Sequence, residues 1–155
     1  MSMYEKILVP LDGSKVGEAA IPNVENLAQK LAPGIKVEVT LLQVISDLTF
    51  DFLTEADAAQ LPYTEDDLNQ IKLRAEKYLE RVAEGMRNKG IDVKTMVTVG
   101  HAADEIIRVA QEIKADLIAM STHGRSGLGR WALGSITDKV LRESPVPVLT
   151  VRAKK

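Results

Sequence analysis

Cysteine is absent from this chain of 155 residues, and with it go disulfides, thiolate zinc sites and cysteine nucleophiles. Aromatic residues make up only 4%, too few for a platform on which single-stranded nucleic acid would stack. Neither sign of charge dominates, with 20 Lys and Arg against 22 Asp and Glu. Near neutrality there is no broad basic stripe to displace counterions from nucleic acid, so no nucleic-acid partner is expected. Long apolar runs are missing too. The first, at residues 7–11, stops at Asp12, too short for a signal h-region or for the ~20 residues of a membrane span. Met1 to Lys6 carries no basic leader. A cytoplasmic protein with no membrane partner is the expectation.

What the chain does contain is a repeated switch between strand and helix periods. Ile7, Leu8, Val9, Pro10 and Leu11 form a short unbroken apolar run, as in a strand buried on both faces. Val16, Ala19, Ala20, Val24, Leu27, Ala28 and Leu31 follow as a helical stripe. Pro22 inside it predicts a kink or an irregular early turn, and Pro33-Gly34 ends it. Residues 37–45 read as a second strand. Residues 66–89 read as a long amphipathic helix with Leu68, Ile71, Ala75, Tyr78, Leu79, Val82 and Met86 on one face and Gly90 as its terminal glycine. Ile91, Val93, Thr95, Val97 and Val99 then alternate with Asp92, Lys94, Met96 and Thr98, the pattern of a half-exposed edge strand. Residues 102–114 are helical, 117–120 a second unbroken apolar strand, 135–143 a short helix and 147–151 a last strand.

The order β-α-β-α-β-α-β-α-β predicts an α/β fold, a parallel sheet with helices on both faces, filling one domain over residues 1–155. The two runs without alternation, at Ile7 and Leu117, should be central. The switch point then lies between the first and fourth strands, and ligands bind beyond the carboxyl ends of such strands. Position alone nominates Pro10 to Ser14 on one side and Ser121 onward on the other.

After the fourth strand, four glycines fall within the eleven residues from Gly124 to Gly134, with Arg125 and Arg130 among them. A glycine-rich turn feeding a helix can cradle phosphate oxygens, because exposed backbone N–H groups and the helix dipole converge there. Ser135 is expected to cap that helix, with Asp138 as the capping-box acid. A mobile surface loop fits the composition equally well; its place at the switch point favours phosphate. No Gly-x-x-x-x-Gly-Lys-Ser/Thr loop is present, and the first strand-to-helix turn is not Gly-x-Gly-x-x-Gly, which argues against a P-loop NTPase or an ordinary dinucleotide dehydrogenase. Asp12, ending a central strand, is placed to accept from a ribose or to help hold a cation, or else only to satisfy an Asp-Gly turn.

Together these residues resemble the universal stress protein family. The resemblance rests on Pro10-x-Asp12-x-Ser14, on Gly124 followed after nine residues by Gly134-Ser135, and on the closing run Pro145-Val146-Pro147-Val148-Leu149-Thr150-Val151. Gly100-His101-Ala102-Ala103-Asp104-Glu105-Ile106 and Ala115-Asp116-Leu117-Ile118 extend it over essentially the whole chain. It implies a Rossmann-like fold of adenine nucleotide α-hydrolase-like type, a single five-stranded parallel sheet in the order 3-2-1-4-5, and a homodimer. The ATP-binding branch of the family carries Gly-x-x-Gly-x9-Gly-Ser/Thr. Here Gly124, Gly134 and Ser135 match its later positions, whereas Ser121 replaces its first glycine. That serine is strained if the position needs a positive φ and harmless if it does not.

By the same match, Pro10, Asp12 and Val44 fall near adenine and ribose. Met120, Ser121, Thr122, His123, Gly124, Arg125 and Gly127, with Ser135, Ile136 and Thr137, fall in the phosphate-binding stretch. The implied ligand is ATP, with AMP or ADP as alternatives, and Mg or Mn on the phosphates, for which Asp12 is the candidate metal ligand. His101 is expected to cap the third helix, and a general-base role for His123 is not expected.

Residues 46–65 form a connection longer than the usual ~2–6 residues and hold Phe50, Phe52 and Tyr63, half of the six aromatics. They read as a loop with a short helix near residues 55–59, packed on the domain and able to double as a lid or partner surface. The last strand, Pro147 to Val151, is apolar on both faces yet terminal in the sheet; the family dimer pairs this edge across a two-fold axis. Trp131 is placed to cover that interface or the nucleotide loop. With no paired nucleophile and base, any ATP hydrolysis should be slow, and a regulatory sensor or scaffold with a further protein partner is the leading expectation. An adenylyl transferase or ATP pyrophosphatase is the alternative, though the chain lacks a Ser-Gly-Gly-x-Asp-Ser loop and a His-x-Gly-His element. A dimeric interaction module that binds no nucleotide is the third.

Overall fold

The computed structural model describes residues 5–30, 34–46, 65–123 and 133–153. Five parallel strands, β1 (Lys6–Leu11), β2 (Glu38–Ser46), β3 (Asp92–Gly100), β4 (Leu117–Ser121) and β5 (Val148–Val151), form one sheet in the order β3-β2-β1-β4-β5. Helices α1 (Ile21–Lys30), α2 (Glu65–Arg87), α3 (Ala102–Glu112) and α4 (Ser135–Glu143) flank it. The architecture and strand order are those expected, and β1 lies at the centre.

Each strand contributes alternate residues to two cores. On one face Ile7, Val9 and Leu11 of β1, Val39 and Leu41 of β2 and Ala119 of β4 meet Val24 of α1 and Leu79, Ala83 and Met86 of α2. On the other, Leu8, Leu42, Ile118 and Met120 meet Ala103, Ile106, Val109 and Ala110 of α3 and Val140 of α4. Two covered faces account for the unbroken apolar runs in β1 and β4, since neither side of these strands meets water. Leu8 is fully buried, so Leu8→Ala should cost about 2–5 kcal/mol.

The first connection is not one continuous helix. A 3₁₀ helix at Val16–Ala20 precedes α1, and it packs over β1, β4 and β5. Pro22 stands in the first turn of α1, where its missing N–H breaks no helical bond. Gly90 closes α2 at a φ of 83°, a left-handed conformation that costs glycine nothing. His101 does occupy the N-cap of α3, but its ring makes no capping bond to that helix.

The two edges of the sheet differ. Along β3, the Arg87 guanidinium donates to the Val93 carbonyl from Nε at 3.2 Å and Nη2 at 2.8 Å, and Glu80 bridges Arg87 to the Thr95 hydroxyl. All four residues of β5 are half-buried apolar or threonine side chains. Among the described residues no helix is long and apolar enough to cross a membrane.

Candidate functional site

At the carboxyl end of β1 the chain turns sharply. Gly13 takes a φ of 87°, which an L side chain would resist, and the turn folds back on Asp12. Asp12 Oδ1 accepts from the Ser14 amide at 2.9 Å and from the Ser14 hydroxyl at 2.6 Å. Ser14 Oγ in turn accepts from the Gly17 amide at 3.1 Å, which fastens the start of the 3₁₀ helix to the same turn. Gly17 permits a close approach. A Cβ added there would lie 2.5 Å from Asp12 Oδ1. Asp12 Oδ1 is thus held by Ser14, with Gly17 close against it.

At the carboxyl end of β4 a second set of polar groups gathers. Ser121 and Thr122 are buried. The Ser121 hydroxyl donates to the His123 carbonyl at 2.8 Å, closing a tight local turn. The Thr137 hydroxyl, buried in α4, donates to the Ser121 carbonyl at 3.0 Å, and the Gly134 amide donates to the Thr122 carbonyl at 2.9 Å. These two bonds pin the start of α4 against the end of β4. Gly134 permits the approach, since a Cβ there would come within 3.3 Å of the Thr122 carbonyl oxygen.

Two consequences point outward from this arrangement. The first helical bond of α4 runs from the Asp138 amide to the Gly134 carbonyl, so the amides of Ser135, Ile136 and Thr137 have no partner within the helix. With the helix dipole they favour a bound anion. The ring of His123 faces the Thr122 hydroxyl through Nδ1 at 3.0 Å, while Nε2 is buried with no hydrogen-bond partner among the described residues. A buried polar atom left unpaired costs about 1–3 kcal/mol, and an incoming ligand atom would relieve it.

Several expected site residues have other surroundings. The side chain of Met120 belongs to the core beneath α3 and α4, so only its backbone can face a ligand. Val44 packs at the border of the same core. Pro10 is half-buried in β1. Ser135 and Ile136 are exposed, and Thr137 is buried with its hydroxyl committed to Ser121. Ser135 does not cap α4. The N-cap is Gly134, with φ −58° and ψ 148° and no side-chain capping bond, and Ser135 is the first helical residue. Asp138 pairs instead with Arg142 one turn on. Ser121 is an ordinary strand residue of β4, and among described non-glycine residues a positive φ occurs at Lys114. The serine is therefore unstrained, and its hydroxyl closes the turn. Gly124, Arg125, Gly127, Arg130 and Trp131 lie outside the described residues, as do Phe50, Phe52, Tyr63 and the short helix expected near residues 55–59.

Gly17, missed in the sequence, and Tyr78, read only as part of an apolar stripe, also belong to this neighbourhood. The Tyr78 hydroxyl donates to Glu18 Oε2 in the 3₁₀ helix at 3.0 Å. Burial, then the charge and hydrogen bond of Glu18 and the charge of Asp12, push the phenol well above its ordinary range. Among the described residues no three His, Asp or Glu side chains cluster to hold a metal by themselves. A separate open groove of about 500 Å³ lies at the opposite, amino ends of the strands, lined by Lys6, Glu38, Lys94, Glu112 and Lys114 among others. Its charges are mixed, with Lys94 and Glu38 paired at 3.2 Å.

A model of the universal stress protein family matches residues 3–152. Universal stress protein MJ0577 of Methanocaldococcus jannaschii is 30% identical over 98% of this chain and 97% of its own. The solved structure of MJ0577 matches with a TM-score of 0.81 over 99% of each chain. A universal stress protein solved in complex with cAMP shares 22% identity and a TM-score of 0.66, over 99% of this chain and 100% of that one. A universal stress protein family protein from Arabidopsis thaliana, solved with AMP bound, shares 15% identity and a TM-score of 0.65, over 96% and 92%. At such identities these two show the fold alone. The family match leaves out only the first two and last three residues, and the chain belongs to the universal stress protein family.

Proposed function

We propose that this chain binds an adenine nucleotide, with ATP as the leading ligand, across the carboxyl ends of β1 and β4 and works as a regulatory protein. The observation that carries the reading is the junction of β4 with α4. Thr137 and Gly134 hold three amides without a partner inside the helix beside a buried His123 Nε2 that has no hydrogen-bond partner among the described residues, at the switch point of the sheet.

In this reading the helix amides of Ser135 to Thr137 and the His123 ring meet the phosphates. Asp12, braced by two bonds from Ser14 to Oδ1, presents its carboxylate at the end of β1 and takes a ribose hydroxyl. Pro10 and Val44 border the base. Mg or Mn would add charge neutralisation on the phosphates, drawing its remaining ligands mostly from oxygen atoms of the nucleotide and water, with Asp12 as the protein carboxylate able to meet it. The chain's own work is binding and orientation.

We also assign the β5 edge to a homodimer contact. Val148, Leu149 and Val151 lie half-buried on an edge strand, whereas the opposite edge at β3 is tied to Arg87 and Glu80. A sedimentation mass of one chain at micromolar concentration would refute that assignment.

The nucleotide site is tested by calorimetric titration of ATP into wild type and Gly134→Asp. The new carboxylate would stand at the helix terminus that should receive phosphate, and its Cβ would crowd a backbone carbonyl. Affinity should fall at least about thirtyfold, roughly 2 kcal/mol. Unchanged binding in a folded variant would remove the phosphate site from β4 and α4.

A further inference from the structure

We propose that Tyr78, on α2, is a positioning residue for the Asp12 carboxylate and so tunes recognition of the nucleotide's ribose; this rests on the nucleotide reading above. Tyr78 and Glu18 are sixty residues apart in sequence, yet the phenol donates to Glu18 Oε2 at 3.0 Å. Glu18 follows Gly17 directly. Gly17 is the residue that both packs on Asp12 Oδ1 and donates its amide to Ser14 Oγ. Ser14 in turn donates twice to Asp12. A continuous set of short contacts therefore runs from α2 through the 3₁₀ helix to the ligand-facing carboxylate.

Each link transmits position for a physical reason. The 3₁₀ helix is only five residues long and depends on contacts outside itself for its place. Its other tie to Glu18, from Lys15, is 3.7 Å long and comes from a side chain almost wholly in solvent. The Tyr78 ring is better fixed. It is half-buried against the core face of α2, with the Arg81 guanidinium 5.7 Å from its centroid. Burial and the neighbouring carboxylate charges keep the phenol protonated, so it donates at any ordinary pH. Tyr78 thus anchors the connection that carries Asp12 to the rigid side of the molecule.

The test pairs an amide readout without ligand with nucleotide discrimination. Hydrogen exchange at the Ser14 and Gly17 amides is followed in wild type, Tyr78→Phe, Glu18→Ala and Glu18→Gln, with thermal melts to establish folding. ATP and 2′,3′-dideoxy-ATP are then titrated calorimetrically into the same proteins and Asp12→Ala. Tyr78→Phe and Glu18→Ala should speed exchange at both amides and weaken ATP about three- to tenfold, while dideoxy-ATP shifts less than about twofold. Glu18→Gln, which still accepts from Tyr78, should retain the wild-type preference for ATP. Unaltered exchange in Tyr78→Phe, or equal loss of both nucleotides, would overturn the positioning role alone. Wild type that does not prefer ATP to its dideoxy form, or Asp12→Ala that keeps the preference, would overturn the ribose reading and this inference with it.

Discussion

The two sides of the switch point are built from opposite materials. On the β1 side, Ser14 donates twice to Asp12 Oδ1 and accepts from Gly17, so the carboxylate is fixed in place, and Tyr78 braces the connection through Glu18. On the β4 side, internal bonds close the His123 turn and lock the strand to α4, the His123 Nε2 has no hydrogen-bond partner among the described residues, and the first amides of α4 have none within the helix. One side presents a fixed acceptor and the other a set of donors. The difference suggests a division of labour, with β4 and α4 supplying grip on an anion and β1 supplying choice of the sugar.

Gly134→Asp should give the largest effect, because it puts charge of the wrong sign on the donor side, and the thirtyfold loss expected above should extend to AMP and ADP. Thr137→Val should come next. It leaves the buried Ser121 carbonyl without its side-chain donor, which costs about 1–3 kcal/mol of stability by denaturant titration and weakens all adenine nucleotides together. Gly17→Ala acts on the other side and should separate stability from binding. The atom that its Cβ would strike is the end of the Asp12 side chain, which can swing away. Melting temperature should therefore fall little while ATP affinity drops about three- to tenfold and dideoxy-ATP is spared. Equal loss of both ligands in Gly17→Ala would erase the division between the two sides. Ser121→Gly should be the mildest. It restores the family glycine but removes the hydroxyl that closes the His123 turn, so stability falls by about 0.5–1.5 kcal/mol and ATP affinity changes less than about threefold. A large gain in ATP affinity would show that the hydroxyl, not the donor geometry, limits binding.

Much of the fold was legible because periodicity reports burial directly. Ile7 to Leu11 and Leu117 to Met120 lack alternation because both faces are covered, which placed β1 and β4 centrally and located the switch point. Pro22 announced an irregular first turn, realised as the 3₁₀ helix before α1. The site was legible as two stretches of chain but not as a set of contacts. Ser135 looked like the N-cap by its side chain, yet the closeness of Gly134 to the Thr122 carbonyl selects a residue without a Cβ there. That proximity arises from packing α4 on β4 and leaves no local trace. Met120, adjacent to the loop in sequence, points into the core because strand alternation assigns it to the α3 and α4 face with Ile118. Gly17 reads as an unremarkable helical glycine until Asp12 is seen against it. The Tyr78 bond to Glu18 joins elements sixty residues apart, and in sequence Tyr78 only completes an apolar stripe.

Where the nucleotide sits is the central question, and an ATP titration followed by amide chemical shifts answers it directly. The shifts should concentrate at Gly13 and Ser14, at Ser121 to His123 and at Gly134 to Thr137, with Lys6, Lys94 and Lys114 at the far end of the sheet unmoved. Shifts confined to those lysines and their groove, with the ends of β1 and β4 silent, would contradict the site proposed at the switch point.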